Sequence, residues 1–306
     1  MKHFSMIVAS CVLAMMLTVS GCYAGSRNVV KPSKNYVTQK VSLTGIDAIR
    51  SSSSVDVVYT QASGTAYAEI YAPDNIVPLI KVEQEGSKLH VGFKSGTSIT
   101  GRYKCEVRVY APEVTSFSTS SSSDIILANG LKTQKAVSFR ASSSGDIKAG
   151  AVACADVEMI TQSSGDIVVD AVRCGQLSLD TQSSGDIKVN TAQCSGAVIE
   201  SSSAGDCTVK NLTCEGDVKA STSSSSDIKL AGTCRNATFS ASSAGGIYAK
   251  DLLAKDVKAT ASSAGDIECN ASGVLSTSVS SAGDIRYKGT PTRVEGKIKG
   301  VSKMKD

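Results

Sequence analysis

The stretch Ser142-Ser143-Ser144-Gly145-Asp146-Ile147-Lys148 recurs with small changes through the C-terminal two thirds of the chain. Its aspartate falls at Asp124, Asp146, Asp166, Asp186, Asp206, Asp227, Asp266 and Asp284, and Gly246 takes its place in one copy. Eight steps carry Asp124 to Asp284, 160 residues on, so the mean period is 20. A second column keeps the same beat: Cys154, Cys174, Cys194, Cys214 and Cys234. Self-similarity at a fixed period of this length marks a stacked repeat. One unit cannot bury its own apolar face, and its neighbours above and below complete the core.

Each coil can be laid out from this stretch. One strand carries Val157 and Met159, then Leu177 and Leu179 a coil later, then Ala197 and Ile199. A serine-rich corner follows. A second strand begins after the aspartate: Ile147-Lys148-Ala149, Ile167-Val168-Val169, Ile187-Lys188-Val189. Alternation within each strand assigns one face to the interior. In-register parallel stacking at about 4.8 Å per rung makes nine rungs a rod of roughly 40 Å. Hexapeptide triplets near 18 residues per turn, the mark of a left-handed helix, are absent. The expected fold is an all-β, right-handed parallel β-helix of about 20 residues per coil, with a less regular N-terminal β portion and few helices.

The chain has 306 residues, no tryptophan and 5% aromatic residues, with a formal charge of +4. No basic block occurs, so composition does not point to nucleic acid. Met6 to Val19 is an apolar run too short to span a bilayer, where about 20 residues are needed. It ends in Val19-Ser20-Gly21-Cys22, which resembles a bacterial lipoprotein cleavage box. The resemblance implies a signal peptide over 1–21, lipidation of Cys22, a tether over 22–40 and attachment to the outer membrane. One β-helix domain is expected over 41–306. Within it, 41–115 are irregular coils covering the open end, 116–288 the regular array and 289–306 a C-terminal cap.

The aspartate column has two readings. A ladder of carboxylates binds calcium or does acid–base work, or each aspartate accepts backbone N–H bonds at its own corner. One carboxylate per coil is few for an ion that takes six to eight oxygens. The corner reading is therefore preferred, and no metal is assigned. The cysteine column suggests disulfides or a metal relay. However, side chains in register point the same way, and His90 is the only histidine beyond the signal segment. Five buried structural thiols are expected, with Cys105, Cys207 and Cys269 also facing inward. With His90 alone, no serine or cysteine triad finds its partners. No catalytic residue and no cofactor are assigned, and the protein is read as a non-enzyme.

Other stretches resemble a known family. These are Gly45-Ile46-Asp47-Ala48-Ile49 leading to Ser54-Val55-Asp56-Val57, Asn75-Ile76-Val77-Pro78, Leu89-His90-Val91, Val107-Arg108-Val109-Tyr110-Ala111-Pro112, and Ile285-Arg286-Tyr287-Lys288-Gly289-Thr290-Pro291. With the Ser-Ser-Gly-Asp-Ile repeats, they resemble the putative auto-transporter adhesin, head GIN domain family from about Val41 onward. The resemblance implies a β-helix and, by the family's description, adhesion; it supplies no catalytic or ligand residues. The expected function is a lipid-anchored envelope adhesin or binding scaffold that meets a protein or glycan ligand through the rod's outer face. The alternatives are a periplasm-facing structural lipoprotein and a calcium-dependent protein that binds or cleaves polysaccharide.

Overall fold

The computed structural model describes residues 29–296 and 299–305. The signal peptide and Cys22 lie outside the described residues. The chain forms a parallel β-solenoid of about nine turns at about 20 residues per turn. Two sheets run its length, one of 13 strands and one of 15. Each regular coil contributes one strand to each. Val157–Ser163 lies in the first sheet and Ile167–Arg173 in the second. The single helical turn among the described residues is the 3-10 turn Val77–Leu79.

Strict register follows from the repeat. Val157 pairs Leu177, which pairs Ala197, and Ile147 pairs Ile167, which pairs Ile187. Slipping a strand by one residue would turn its apolar set outward, so the buried face fixes the pairing. The second strand of each coil bends midway. Ile167 and Val169 point inward, then Val172 rather than Ala171, so the alternation shifts phase at Asp170. The bend gives the coil a third short side.

Bulk in the core is exchanged between coils. Phe117 stacks on Phe139 at 5.4 Å between ring centroids and meets Tyr59 of the opposite sheet edge-to-face at 5.2 Å. Farther along, Phe239 lies between Ala220 and Ala259, so one large ring sits where both neighbours are small. The isoleucines after the corners form a dry file: Ile147, Ile167, Ile187, Ile228, Ile247 and Ile285 are fully buried. Each such burial contributes about 1.5–3 kcal/mol.

The N-terminal third departs from the expected succession of coils. The coil formed by Ala48–Ser51 and Asp56–Gln61 is not the end of the rod. Lys88–Phe93 and Glu106–Ala111 lie parallel on its outer side, while Ser116–Thr119 and Ile125–Leu127 lie on its inner side. Between them the chain makes an antiparallel excursion. Tyr67–Pro73 pairs Glu106–Ala111, and Ile80–Glu85 pairs Lys88–Phe93. The outermost strand is Tyr36–Ser42, antiparallel to Tyr67–Pro73. The region expected as a tether up to residue 40 therefore supplies strands, including Val29–Val30 paired with Ser98–Ile99. Alternation reads identically for parallel and antiparallel strands, so the sequence pattern does not carry this reversal.

At the other end, Arg293–Gly296 and Val301–Lys303 add a further parallel rung to both sheets. The first of these two strands is exposed throughout. The expected cap is thus one more rung of the same stack.

Candidate functional site

The corner before each aspartate is built from two constraints. Three residues before the aspartate, or before Gly246, Ser143, Ser163, Ser203, Ser224, Ser243, Ser263 and Ser281 hold φ between 56 and 69°. This left-handed conformation is uncommon outside glycine. The glycine two residues later does not have it. A Cβ on Gly165 would instead lie 2.3 Å from the Gly145 carbonyl oxygen, and one on Gly185 2.2 Å from that of Gly165. Glycine is selected by the close approach of stacked coils, and serine takes the strained torsion.

Beneath the corner runs a file of buried hydroxyls that sequence reading passed over. Thr119 Oγ1 donates to the Gly145 carbonyl at 2.8 Å, Thr161 to Gly185 at 2.8 Å and Thr222 to Ser226 at 2.7 Å. Their recurrence at the inner end of the first strand was the available signal.

The aspartates join one coil to the next rather than closing their own corners. The Asp146 N–H donates to Asp124 Oδ1 at 3.0 Å, Asp166 to Asp146 at 3.1 Å, Asp186 to Asp166 at 2.9 Å, Asp206 to Asp186 at 3.0 Å and Asp227 to Asp206 at 3.0 Å. Asp56 opens the ladder by accepting from Asp124 at 3.0 Å. The other oxygen meets a cation on the outer face. Lys148 Nζ lies 3.2 Å from Asp146 and 3.7 Å from Asp124, Lys188 2.9 Å from Asp186, and Lys229 3.1 Å from Asp206 and 3.6 Å from Asp227. The ladder ends at Gly246, where the Tyr248 ring occupies the space a Cβ would need. Asp266 and Asp284 then donate to the Gly245 and Gly265 carbonyls, outside the carboxylate chain.

Electrostatics distinguish the ladder's ends. Burial, followed by repulsion from Asp124 and Glu106, raises the Asp56 carboxyl against the Asp124 hydrogen bond. Burial and repulsion from Asp206 raise Asp227 although Lys229 opposes them. Among the described residues no three His, Cys, Asp or Glu side chains converge on a metal-sized point.

The cysteines stack as a file, with Cys194 beside Cys214 in register. All are free thiols. Cys174, Cys194 and Cys214 are buried, whereas Cys154 and Cys234 are only half-buried because they terminate the file at a corner. The expectation of five buried thiols therefore holds for the middle three. Burial pushes Cys174 and Cys234 up to about 12 and Cys154 to about 11. Interaction between the neighbouring thiols pushes Cys194 up and holds Cys214 down.

A second surface was not foreseen. On the outer face of the cap, Tyr67 stacks on Tyr110 at 4.7 Å and Tyr36 on Tyr71 at 5.3 Å. Lys40 lies 3.7 Å over the Tyr67 ring and Arg108 5.0 Å over that of Tyr71. Burial alone would raise Glu106, but hydrogen bonds from Lys104 and Arg108 outweigh it and hold the carboxyl low. These tyrosines come from three strands far apart in sequence, so only the fold brings them together.

A family model described as putative auto-transporter adhesin, head GIN domain matches residues 45–213 and 177–291. The chain belongs to this family. Membership in the head GIN domain family agrees with an adhesin-like, exported or cell-surface protein. Among solved structures the chain is similar to a protein from Parabacteroides distasonis described as a putative lipid binding protein. The two are 21% identical over 90% of this chain and 99% of that one, with a TM-score of 0.56. Putative adhesins from Parabacteroides merdae and P. distasonis, each 18% identical over 90% of this chain and 99% of theirs, give TM-scores of 0.53 and 0.54. At these identities the likeness concerns the fold. No curated protein matches.

Proposed function

We propose that this head GIN domain protein is an exported, non-enzymatic adhesin of the outer membrane, lipid-anchored at Cys22, that binds a protein or glycan along the flank of the rod. The observation that carries the reading is the repetition of one corner: serine and aspartate recur on a single edge at the strand spacing of about 4.8 Å, with Lys148, Lys188 and Lys229 beside them in alternate coils. A polymeric ligand meets the same weak contact many times there, and avidity multiplies weak contacts.

The cap fits the anchored end. Val29–Val30 is tied to Ser98–Ile99. Val29 is seven steps along the chain from Cys22, and at about 3.4 Å each these reach no more than about 24 Å. A lipid on Cys22 thus holds the cap close to the membrane and lets the regular coils project away. The tyrosine and cation face then lies at headgroup depth, where amphipathic rings and basic side chains are favourable.

The reading is tested on cells and on purified protein. Protease added to intact cells is expected to cut the chain. Cutting only after lysis would replace outward adhesion by the periplasm-facing alternative. On arrays of glycans and matrix proteins, the full chain is expected to bind a polymer, and the triple variant Lys148→Gln, Lys188→Gln, Lys229→Gln is expected to lose that binding while melting as a folded protein. Binding indifferent to the three lysines, or binding that requires calcium, would overturn the flank reading.

A further inference from the structure

The thiol file serves neither the flank nor the cap, and its geometry is selective. Cys154 donates its N–H to the Arg173 carbonyl at 3.0 Å and Cys174 to Gln193 at 3.0 Å, which sets each cysteine beside the next. Cys194 and Cys214 are register partners on neighbouring rungs, and both are buried free thiols. The Cys214 sulfur also lies within 3.8 Å of the Asp217 carbonyl.

Three candidate uses can be compared by distance. A disulfide needs sulfurs at about 2.05 Å and side chains turned toward one another. In-register side chains lean the same way, and the thiols are free. Zinc needs four convergent ligands, whereas a file is linear and no three such groups converge among the described residues. A two-coordinate ion is different. With the zinc–thiolate length of about 2.3 Å as an upper bound, a linear sulfur–metal–sulfur unit spans at most about 4.6 Å, just under the rung spacing of about 4.8 Å. Soft thiolates select copper(I) among available metals, and copper(I) accepts linear coordination.

We infer that the file from Cys154 to Cys234 is a binding site for a soft monovalent cation of the copper(I) class, held between the Cys194 and Cys214 sulfurs. The half-buried Cys154 and Cys234 open the file to solvent at its two ends. Binding forms two metal–sulfur bonds and breaks two S–H bonds. Both protons pass to water, and the metal keeps its oxidation state. Cys105, Cys207 and Cys269 lie elsewhere in the core and take no part.

The test uses the full chain with Cys11→Ser and Cys22→Ser, titrated anaerobically with copper(I) against a chromogenic copper(I) chelator. The folded protein is expected to withhold one equivalent or more. Cys194→Ala and Cys214→Ala are expected to reduce the retained copper at least tenfold in affinity, while Cys207→Ser leaves it unchanged. X-ray absorption of the copper-loaded parent, which depends on no further substitution, is expected to show two sulfur neighbours. Four results would each overturn the site: no copper retained, equal retention by the Cys194 and Cys214 variants, three or more sulfur neighbours, or zinc(II) held as firmly as copper(I).

Discussion

The Asp166 backbone N–H donates to the Asp146 carboxylate at 3.1 Å, and the Asp166 carboxylate in turn accepts the Asp186 N–H at 2.9 Å. Each aspartate is thus a donor to the coil on one side and an acceptor for the coil on the other. The corner is where the ladder of the first sheet has ended and that of the second has not begun. At these corners the aspartate N–H groups donate to the neighbouring carboxylate, whereas farther along Asp266 and Asp284 use the Gly245 and Gly265 carbonyls. The side chain replaces a missing sheet hydrogen bond.

Asp166→Ala is therefore expected to cost about 1–3 kcal/mol, because the Asp186 N–H loses its acceptor. Asp166→Asn keeps a carbonyl oxygen at the same place and is expected to cost less than half as much. Urea unfolding of the two variants checks the ratio. Equal losses would show that charge, and not the acceptor, holds the coils together.

The division of labour between serine and glycine gives a second test. Gly165→Ala places a Cβ 2.3 Å from the Gly145 carbonyl oxygen and forces neighbouring coils apart, at about 1–3 kcal/mol or more. Ser163, with φ 69°, is strained in the opposite sense. Ser163→Gly is expected to be neutral or slightly stabilising, since relief of the torsion offsets the entropy of an added glycine, about 0.4–1 kcal/mol. Thermal melts of both variants decide the matter. A mild Gly165→Ala beside a damaging Ser163→Gly would mean that the torsion constraint sits at the wrong residue.

The hydroxyl file is tested by Thr161→Val, which preserves shape. Thr161 is fully buried and its hydroxyl donates to the Gly185 carbonyl at 2.8 Å. Losing that donor is expected to cost about 1–2 kcal/mol, with the carbonyl left dry. Valine at the half-buried neighbour, in Gln162→Val, loses only a surface bond to Gln182 and is expected to change stability by no more than about 0.5 kcal/mol.

The regular array was legible because period, alternation and corner chemistry agreed at every coil. Ile147, Ile167 and Ile187 declared the same inward position three times over. The cap was not legible in this way. Val37, Ala68, Ile70 and Val107 alternate as the array does, but nothing in alternation tells an antiparallel excursion from another coil. The direction of the chain is set by the turn at Pro73 to Leu79 and by which surface remains unpaired. Asp56 joined the ladder across 68 residues to Asp124 for the same reason: the excursion returns to the rung it left. The glycine before the aspartate is required by the close approach of stacked coils, and space between coils is invisible in a single repeat. Cys154 and Cys234 shared a spacing with their buried neighbours, yet a file has ends, and ends are exposed.

The last prediction concerns pH and follows from the ladder's C-terminal end. Asp227 has a raised carboxyl because burial and Asp206 disfavour its charge. The folded chain therefore holds a proton there at pH values where the unfolded chain has released it. By linkage, this group contributes stability as pH falls through its folded value and withdraws it as pH rises. Glu106 behaves oppositely: its carboxyl is held low, so its contribution is present above the ordinary carboxylate range and is lost on acidification. Asp227→Asn removes the compensating group and leaves the others. At neutral pH the variant is expected to be at least as stable as the parent, since a half-buried like-charge contact has gone. Between pH 6 and 4 its melting temperature is expected to fall more steeply than that of the parent. Parallel melting curves across that range would show that Asp206 and Asp227 do not repel in the folded rod.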